Sequence, residues 1–210
     1  MSYLRRFSRT ERAIHWIHAG AFLVLLGSGL VLYLPTLSEA IGRRPLVKGI
    51  HIYTALAWAC ALVLVVALGD RRGLRRTVRE LEWFDADDRR WLTGRKAPQG
   101  RFNAGQKLNA AVSAAIAVLF SISGFLLWYG ERNTSFRFAS TIAVHDWVTY
   151  IAVVLLLGHL YLAVIHPSTR HALRGMTVGS VREDWARTHH AKWADEAAAR
   201  SSTSETAGRV

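Results

Sequence analysis

Apolar residues along this chain gather into four long blocks instead of alternating with polar ones. The blocks run at about 14–34, 47–68, 108–128 and 142–165, and each holds few charges or none away from its ends. Each is long enough to cross a hydrocarbon core ~30 Å thick, which takes about 20 helical residues. Lipid cannot hydrogen-bond a backbone, so a long apolar run must satisfy its own amides, and a helix does so. The pattern predicts an all-α membrane protein with four transmembrane helices, forming one domain over residues 1–195. A small, polar segment, 196–210, is expected to be a flexible tail. The first block follows basic residues as a signal peptide would. It is too long for one and no small-residue cleavage site follows it, so it is read as a retained helix.

The connections are short except for 70–107. There Leu74, Val78, Leu81 and Trp91 recur at near-helical spacing among arginines and acids. This predicts an amphipathic helix lying in the membrane interface between the second and third spans, with Trp83, Phe84 and Trp91 at headgroup depth. Residues 95–101, with Pro98 and Gly100, form a turn-rich link into the third span. That span carries no histidine, and its alanines with Ser113, Ser121 and Ser123 look suited to close helix packing.

Charge then orients the bundle. The formal net charge is +12, which invites a nucleic-acid reading, but the cations are placed by topology. Of the 27 Lys and Arg residues, 22 fall in the N-terminal segment, the 70–107 connection and the C-terminal tail, and only 5 in the other two loops. That is a strong positive-inside bias. It predicts both termini in the cytoplasm and attributes the basic excess to orientation and anionic headgroups, with no nucleic acid involved. Cys60 is the only cysteine. It excludes a disulfide, a CxxC zinc site, a covalent CxxCH haem and an iron–sulfur cluster within this chain.

Among the histidines inside the apolar blocks, four stand out as candidate ligands: His15, His51, His145 and His159. Ionisable residues in lipid are costly and mark function by default. His145 and His159 are fourteen residues apart, which on a helix is an advance of about 21 Å and about 40° short of four turns. Both rings leave nearly the same face, one towards each side of the bilayer. With the N-terminus inside, depth pairs His15 with His159 near the cytoplasm and His51 with His145 near the periplasm. Two bis-histidine sites of this kind suit the axial ligands of two b-type haems. Such ligation leaves no open position on the iron and favours electron transfer over oxygen chemistry. Spacing alone lets His18 stand in for His15. A haem-free anchor, or a proton transporter with a histidine relay, is the alternative class. Against the relay, Asp146 is the only clear acid within the spans. The His189–His190 pair in the tail could bind a metal, but no further ligand pattern surrounds it.

Several motifs together resemble one family, the b-type cytochrome (gamma) subunits of membrane-bound respiratory formate dehydrogenases. They are Arg12-Ala13-Ile14-His15-Trp16 at the first span, the lone His51 opening the second, and Phe102-Asn103-Ala104-Gly105-Gln106-Lys107 before the third. His145 and His159, and the tail from Gly175-Met176 to Trp193, complete the match, which covers nearly the whole chain. The resemblance implies His15, not His18, as ligand of a cytoplasmic haem with His159, and His51 with His145 as ligands of a periplasmic one. It implies that Asn103, Gly105 and Gln106 help build a pocket where menaquinone or ubiquinone is reduced. As a plainer alternative, the same segment could simply cap the third helix. The implied partners are an iron–sulfur (beta) subunit and a catalytic molybdenum or tungsten (alpha) subunit, in the bacterial inner membrane. Related cytochromes serve other molybdo-enzymes and hydrogenases, so the donor stays open. Carrying an electron inward against the membrane potential costs about 2.3 kcal/mol per 100 mV.

Overall fold

The computed structural model describes residues 2–207. In chain order it contains β1 (Tyr3–Arg5), α1 (Arg9–Tyr33), α2 (Pro35–Ile41), α3 (Arg44–Leu68), α4 (Arg71–Glu82), α5 (Ala86–Leu92), α6 (Ala104–Gly130), α7 (Ala139–Leu160), α8 (Leu173–Thr177), β2 (Ser180–Arg182), α9 (Glu183–His189) and α10 (Ala191–Ala207). Four helices, α1, α3, α6 and α7 with its continuation to Ile165, are long and apolar enough to cross a membrane. They coincide with the four apolar blocks. The spans begin several residues earlier than those blocks, and in α1 and α6 the added first turn is polar and capped by a side chain. Ser8 opens α1 with a capping box, its Oγ accepting from the Glu11 amide (3.2 Å) while Glu11 accepts from the Ser8 amide (2.7 Å). Asn103 and Gln106 do the same for α6. Each box satisfies two amide donors that the first turn leaves without partners.

The spans form two hairpins. α1 packs closely along α3, and α6 along α7, whereas among the described residues the hairpins approach each other chiefly through side chains. The bridging rings are His15 with His159, His51 with His145, and Tyr33 with Tyr150. Large apolar side chains such as Leu23, Val63, Val118 and Val154 point outward along the spans, as a lipid-facing surface requires. α7 ends in a wider π turn over Tyr161–Ile165, closed by His166 N–H donating to the Tyr161 carbonyl at 2.9 Å. Pro167 follows directly and disfavours helix at the residue before it; His166 accordingly lies in extended backbone.

The buried core sits outside the spans, at the arginine-rich end. Val181, Trp185, Ala186, Trp193 and Ala194 form it, with Leu4, Ala172 and Ala197 packed alongside. Two features there have no counterpart in the sequence reading. β1 and β2 pair antiparallel, with Leu4 opposite Val181, in strands too short for an alternating pattern to announce. α10 carries helix through Ala207 across most of the segment expected to be a flexible tail; residues 208–210 lie outside the described residues. The amphipathic helix expected between the second and third spans is present as α4, capped by Asp70. Trp91 belongs instead to a separate helix, α5.

Candidate haem sites and their surroundings

The four histidines meet in the pairs that depth predicts. The rings of His15 and His159 lie 6.1 Å apart between centroids, and those of His51 and His145 6.5 Å apart. An imidazole nitrogen bonds a first-row metal at about 2.0 Å, and the ring centre lies about 1.1 Å behind that nitrogen, so two axial imidazoles on one iron stand about 6 Å apart between centroids. Both pairs have that separation. The donor set also fits: two neutral nitrogen ligands with no third protein ligand converging, which is what a macrocycle-held iron needs. No group of three or more His, Cys, Asp or Glu able to hold a bare metal ion occurs among the described residues. His18 faces elsewhere, packing against Trp58 (5.7 Å) and Phe22 (6.3 Å).

Each ring of the pair remote from the arginine-rich end is held from behind by a serine. Ser28 Oγ lies 2.9 Å from His51 Nδ1, and Ser123 Oγ lies 2.8 Å from His145 Nδ1. In both helices a glycine follows the serine and lies beside the ring. A Cβ built on Gly29 would stand 3.5 Å from His51 Cε1, and one on Gly124 3.8 Å from His145 Cε1. A Ser-Gly step thus recurs 23 residues before His51 and 22 before His145, a repeat the sequence offers but which reads as ordinary small-residue packing.

At the arginine-rich end the Asn103–Gln106 segment is both a helix cap and part of a buried polar knot. Asn103 Oδ1 accepts from the Gln106 amide at 2.9 Å, and Gln106 Oε1 accepts from the Asn103 amide at 3.1 Å. Arg6 reaches the same oxygen at 3.3 Å and also donates to the Arg101 carbonyl at 2.7 Å. Arg101 returns the contact through the Arg6 carbonyl and ties in Glu11 and Glu80. The Arg6 guanidinium lies over the rings of Phe7, Trp185 and Trp193. Burial, and then Arg101, pull its pKa down to about 9, so it remains a cation at neutral pH. Gly105 admits the Trp91 indole: a Cβ there would stand 3.0 Å from Trp91 Cη2. An aromatic plane therefore already rests on the glycine expected to make room for a quinone ring.

His190, left open by the sequence, is fully buried in this knot. Its Nε2 accepts from Arg6 at 3.0 Å and its Nδ1–H donates to the Gly100 carbonyl at 2.8 Å. Both nitrogens are engaged, and the ring is structural. Burial, reinforced by Arg6, lowers its pKa from 6.5 to about 3. The unfolded knot therefore binds the extra proton between those values, and its stability is present above pH 6.5 and lost as pH falls from 6.5 towards 3. Tryptophan fluorescence from Trp185 and Trp193 should report loosening across that window, and His190→Phe should remove the pH dependence. A transition at the same pH in His190→Phe would refute the assignment.

Four membrane-length helices, three of which present imidazoles in facing pairs, define a class of protein, the b-type membrane cytochromes that carry electrons. Comparison with known sequences places the chain within that class: it belongs to the prokaryotic cytochrome b561 family, whose model matches residues 6–179. It is similar to the formate dehydrogenase cytochrome b556(fdo) subunit of Escherichia coli K12, 25% identical over 197 residues that cover 90% of each chain. The nitrate-inducible formate dehydrogenase cytochrome b556(Fdn) subunit of the same organism is 21% identical over 195 residues, 87% of this chain and 86% of that one. The Haemophilus influenzae formate dehydrogenase cytochrome b556 subunit is 22% identical over 204 residues, 90% and 81% respectively.

Proposed function

We propose that this membrane cytochrome is the gamma subunit of a formate dehydrogenase-like complex, with two bis-histidine haems and a cytoplasmic site for quinone. The observation that carries the reading is the two imidazole pairs at 6.1 and 6.5 Å, one towards each end of the bundle. His51 and His145 hold the periplasmic haem, and His15 and His159 the cytoplasmic one. When bound, these haems supply one-electron carriage across the bilayer. The arginine-rich end faces the cytoplasm by the charge bias, and α4 lies in that interface. An iron–sulfur subunit, fed by a catalytic molybdenum or tungsten subunit, docks at the opposite end; the formate dehydrogenase names of the relatives support this donor. Pyridine haemochrome analysis of the purified chain should give two haems b per polypeptide, and zero would overturn the reading.

Menaquinone or ubiquinone takes electrons beside Asn103, Gly105 and Gln106. Gln106 commits its oxygen to the cap and to Arg6, while its Nε2 has no hydrogen bond among the described residues and can donate to a quinone carbonyl. Trp91 forms a wall against Gly105. The best probe is Gln106→Glu, since glutamate at the third helical position keeps a capping box while removing the amide donor. Both haems should remain and be reduced normally, and reoxidation by added quinone should slow about tenfold or more, the loss of one hydrogen bond to a reacting group. Unchanged reoxidation would leave the segment a cap alone.

A further inference from the structure

The two imidazole pairs differ in what stands behind them. Each serine hydroxyl has one proton, and in both cases a backbone carbonyl one turn back takes it: Ser28 donates to Val24 at 2.7 Å and Ser123 to Leu119 at 2.7 Å. With the proton so placed, Oγ has only lone pairs to offer the ring, and the contact to the imidazole must be Nδ1–H donating to Oγ. That fixes the tautomer of His51 and His145 and leaves both Nε2 lone pairs free for iron. Both serines are buried, so water does not compete for the bond. Neither His15 nor His159 has a side-chain hydrogen bond of this kind among the described residues; their ring neighbours are each other and Trp16.

Resting on the haem reading above, we propose that Ser28 and Ser123 are positioning residues that set the redox asymmetry of the protein. A hydrogen bond accepted from a ligand's Nδ1–H makes that ligand more basic and stabilises the ferric state, lowering the potential. Two such bonds at one centre, with no side-chain bond of the kind at the other among the described residues, would make the His51–His145 centre the lower of the two. With haem bound, this ordering would favour electron movement from the His51–His145 centre to the His15–His159 centre, and Ser28 and Ser123 would keep the Nδ1 protons on their rings throughout. The electron comes from the iron–sulfur donor and leaves to quinone. A chemical gradient of this sense opposes the membrane potential that resists inward electron movement.

The test uses the full chain with its haems in lipid nanodiscs, titrated potentiometrically while the α-band and the low-spin EPR signals are followed. Ser28→Val and Ser123→Val remove the hydroxyl. Ser28→Thr and Ser123→Thr have the same shape and keep it, threonine being able to bond the same carbonyl. Each Val variant should raise the ferrous-to-ferric ratio of one centre about threefold at fixed potential, ~28 mV at 59 mV per decade, and the double Val variant about tenfold. The affected centre should be the one lost in His51→Ala, the other should not move, and the Thr variants should titrate as the parent. A Val variant that lost that haem while the Thr variant kept it would also support the role. Equal behaviour of Val and Thr, or a shift at the His15–His159 centre, would overturn the proposal while leaving the haem reading intact. A parent chain without haem would overturn both.

Discussion

His51→Ala and His145→Ala should each leave one haem per chain, and it should be the same haem. His15→Ala and His159→Ala should each leave the other. Pairing is the content of the prediction, and double variants expose it. His51→Ala with His145→Ala should still retain one haem, whereas His51→Ala with His159→Ala should retain none. The expectation follows from the facing rings, since removing either axial imidazole opens the iron coordination and abolishes the low-spin state. His18→Ala should keep both haems, because that ring packs on Trp58 and Phe22 and forms no ring pair with another histidine among the described residues. Haem quantification and low-spin EPR on the five single and two double variants decide the matter. Loss of the same haem from His51→Ala and His159→Ala would break the pairing. Loss of a haem from His18→Ala with both kept in His15→Ala would mean that the wrong ring had been chosen.

Much of this was legible because lipid imposes simple rules on sequence. Four apolar blocks read as four spans, since a continuous apolar run of about 20 residues satisfies its own backbone in lipid as a helix. Depth along those spans gave the histidine pairs, since a helix of known rise fixes how deep each residue lies. What stayed hidden depends on long-range contacts between short or polar pieces. β1 and β2 are three residues each and lie some 175 residues apart in sequence, and nothing local announces their pairing. His190 sits between Arg6 and Gly100, brought there by three separate segments. Ser28 and Ser123 look like any small residue in a membrane helix until the ring each one faces is known. Asn103 and Gln106 were visible as a cap from their spacing alone. Their connection to Arg6 was not.

The largest effect on stability is expected from one buried ion pair that the sequence does not mark. Lys107 lies in the first turn of α6, where the helix macrodipole disfavours a cation by a few tenths of a kcal/mol to about 1 kcal/mol. It is nevertheless buried, and its Nζ donates to Asp88 Oδ2 at 2.5 Å and to the Trp83 carbonyl at 2.8 Å, with the Phe84 ring beneath it. Asp88 is 3% exposed and also accepts from the Asp85 amide at 3.0 Å. The pair therefore clamps α5 onto the start of the third span, and so holds Trp91 against Gly105. Removing one partner from a buried pair leaves an uncompensated charge and costs about 3–5 kcal/mol. Nearby, Lys192 reaches Asp85 at 2.8 Å and also pairs with Asp87, in a partly exposed cluster, and its loss should cost about 1 kcal/mol, since exposed pairs are worth little. Lys107→Met should therefore free α5, and trypsin should cut at Arg89 and Arg90 about two to four orders of magnitude faster than in the parent, as local opening by about 3–5 kcal/mol requires. Adding Asp88→Asn removes the stranded charge while keeping the helix cap, and should recover most of the protection. Lys192→Met should change cleavage less than tenfold. Cleavage of Lys107→Met at the parental rate would show that the clamp holds nothing, and Trp91 would then owe its place on Gly105 to packing alone.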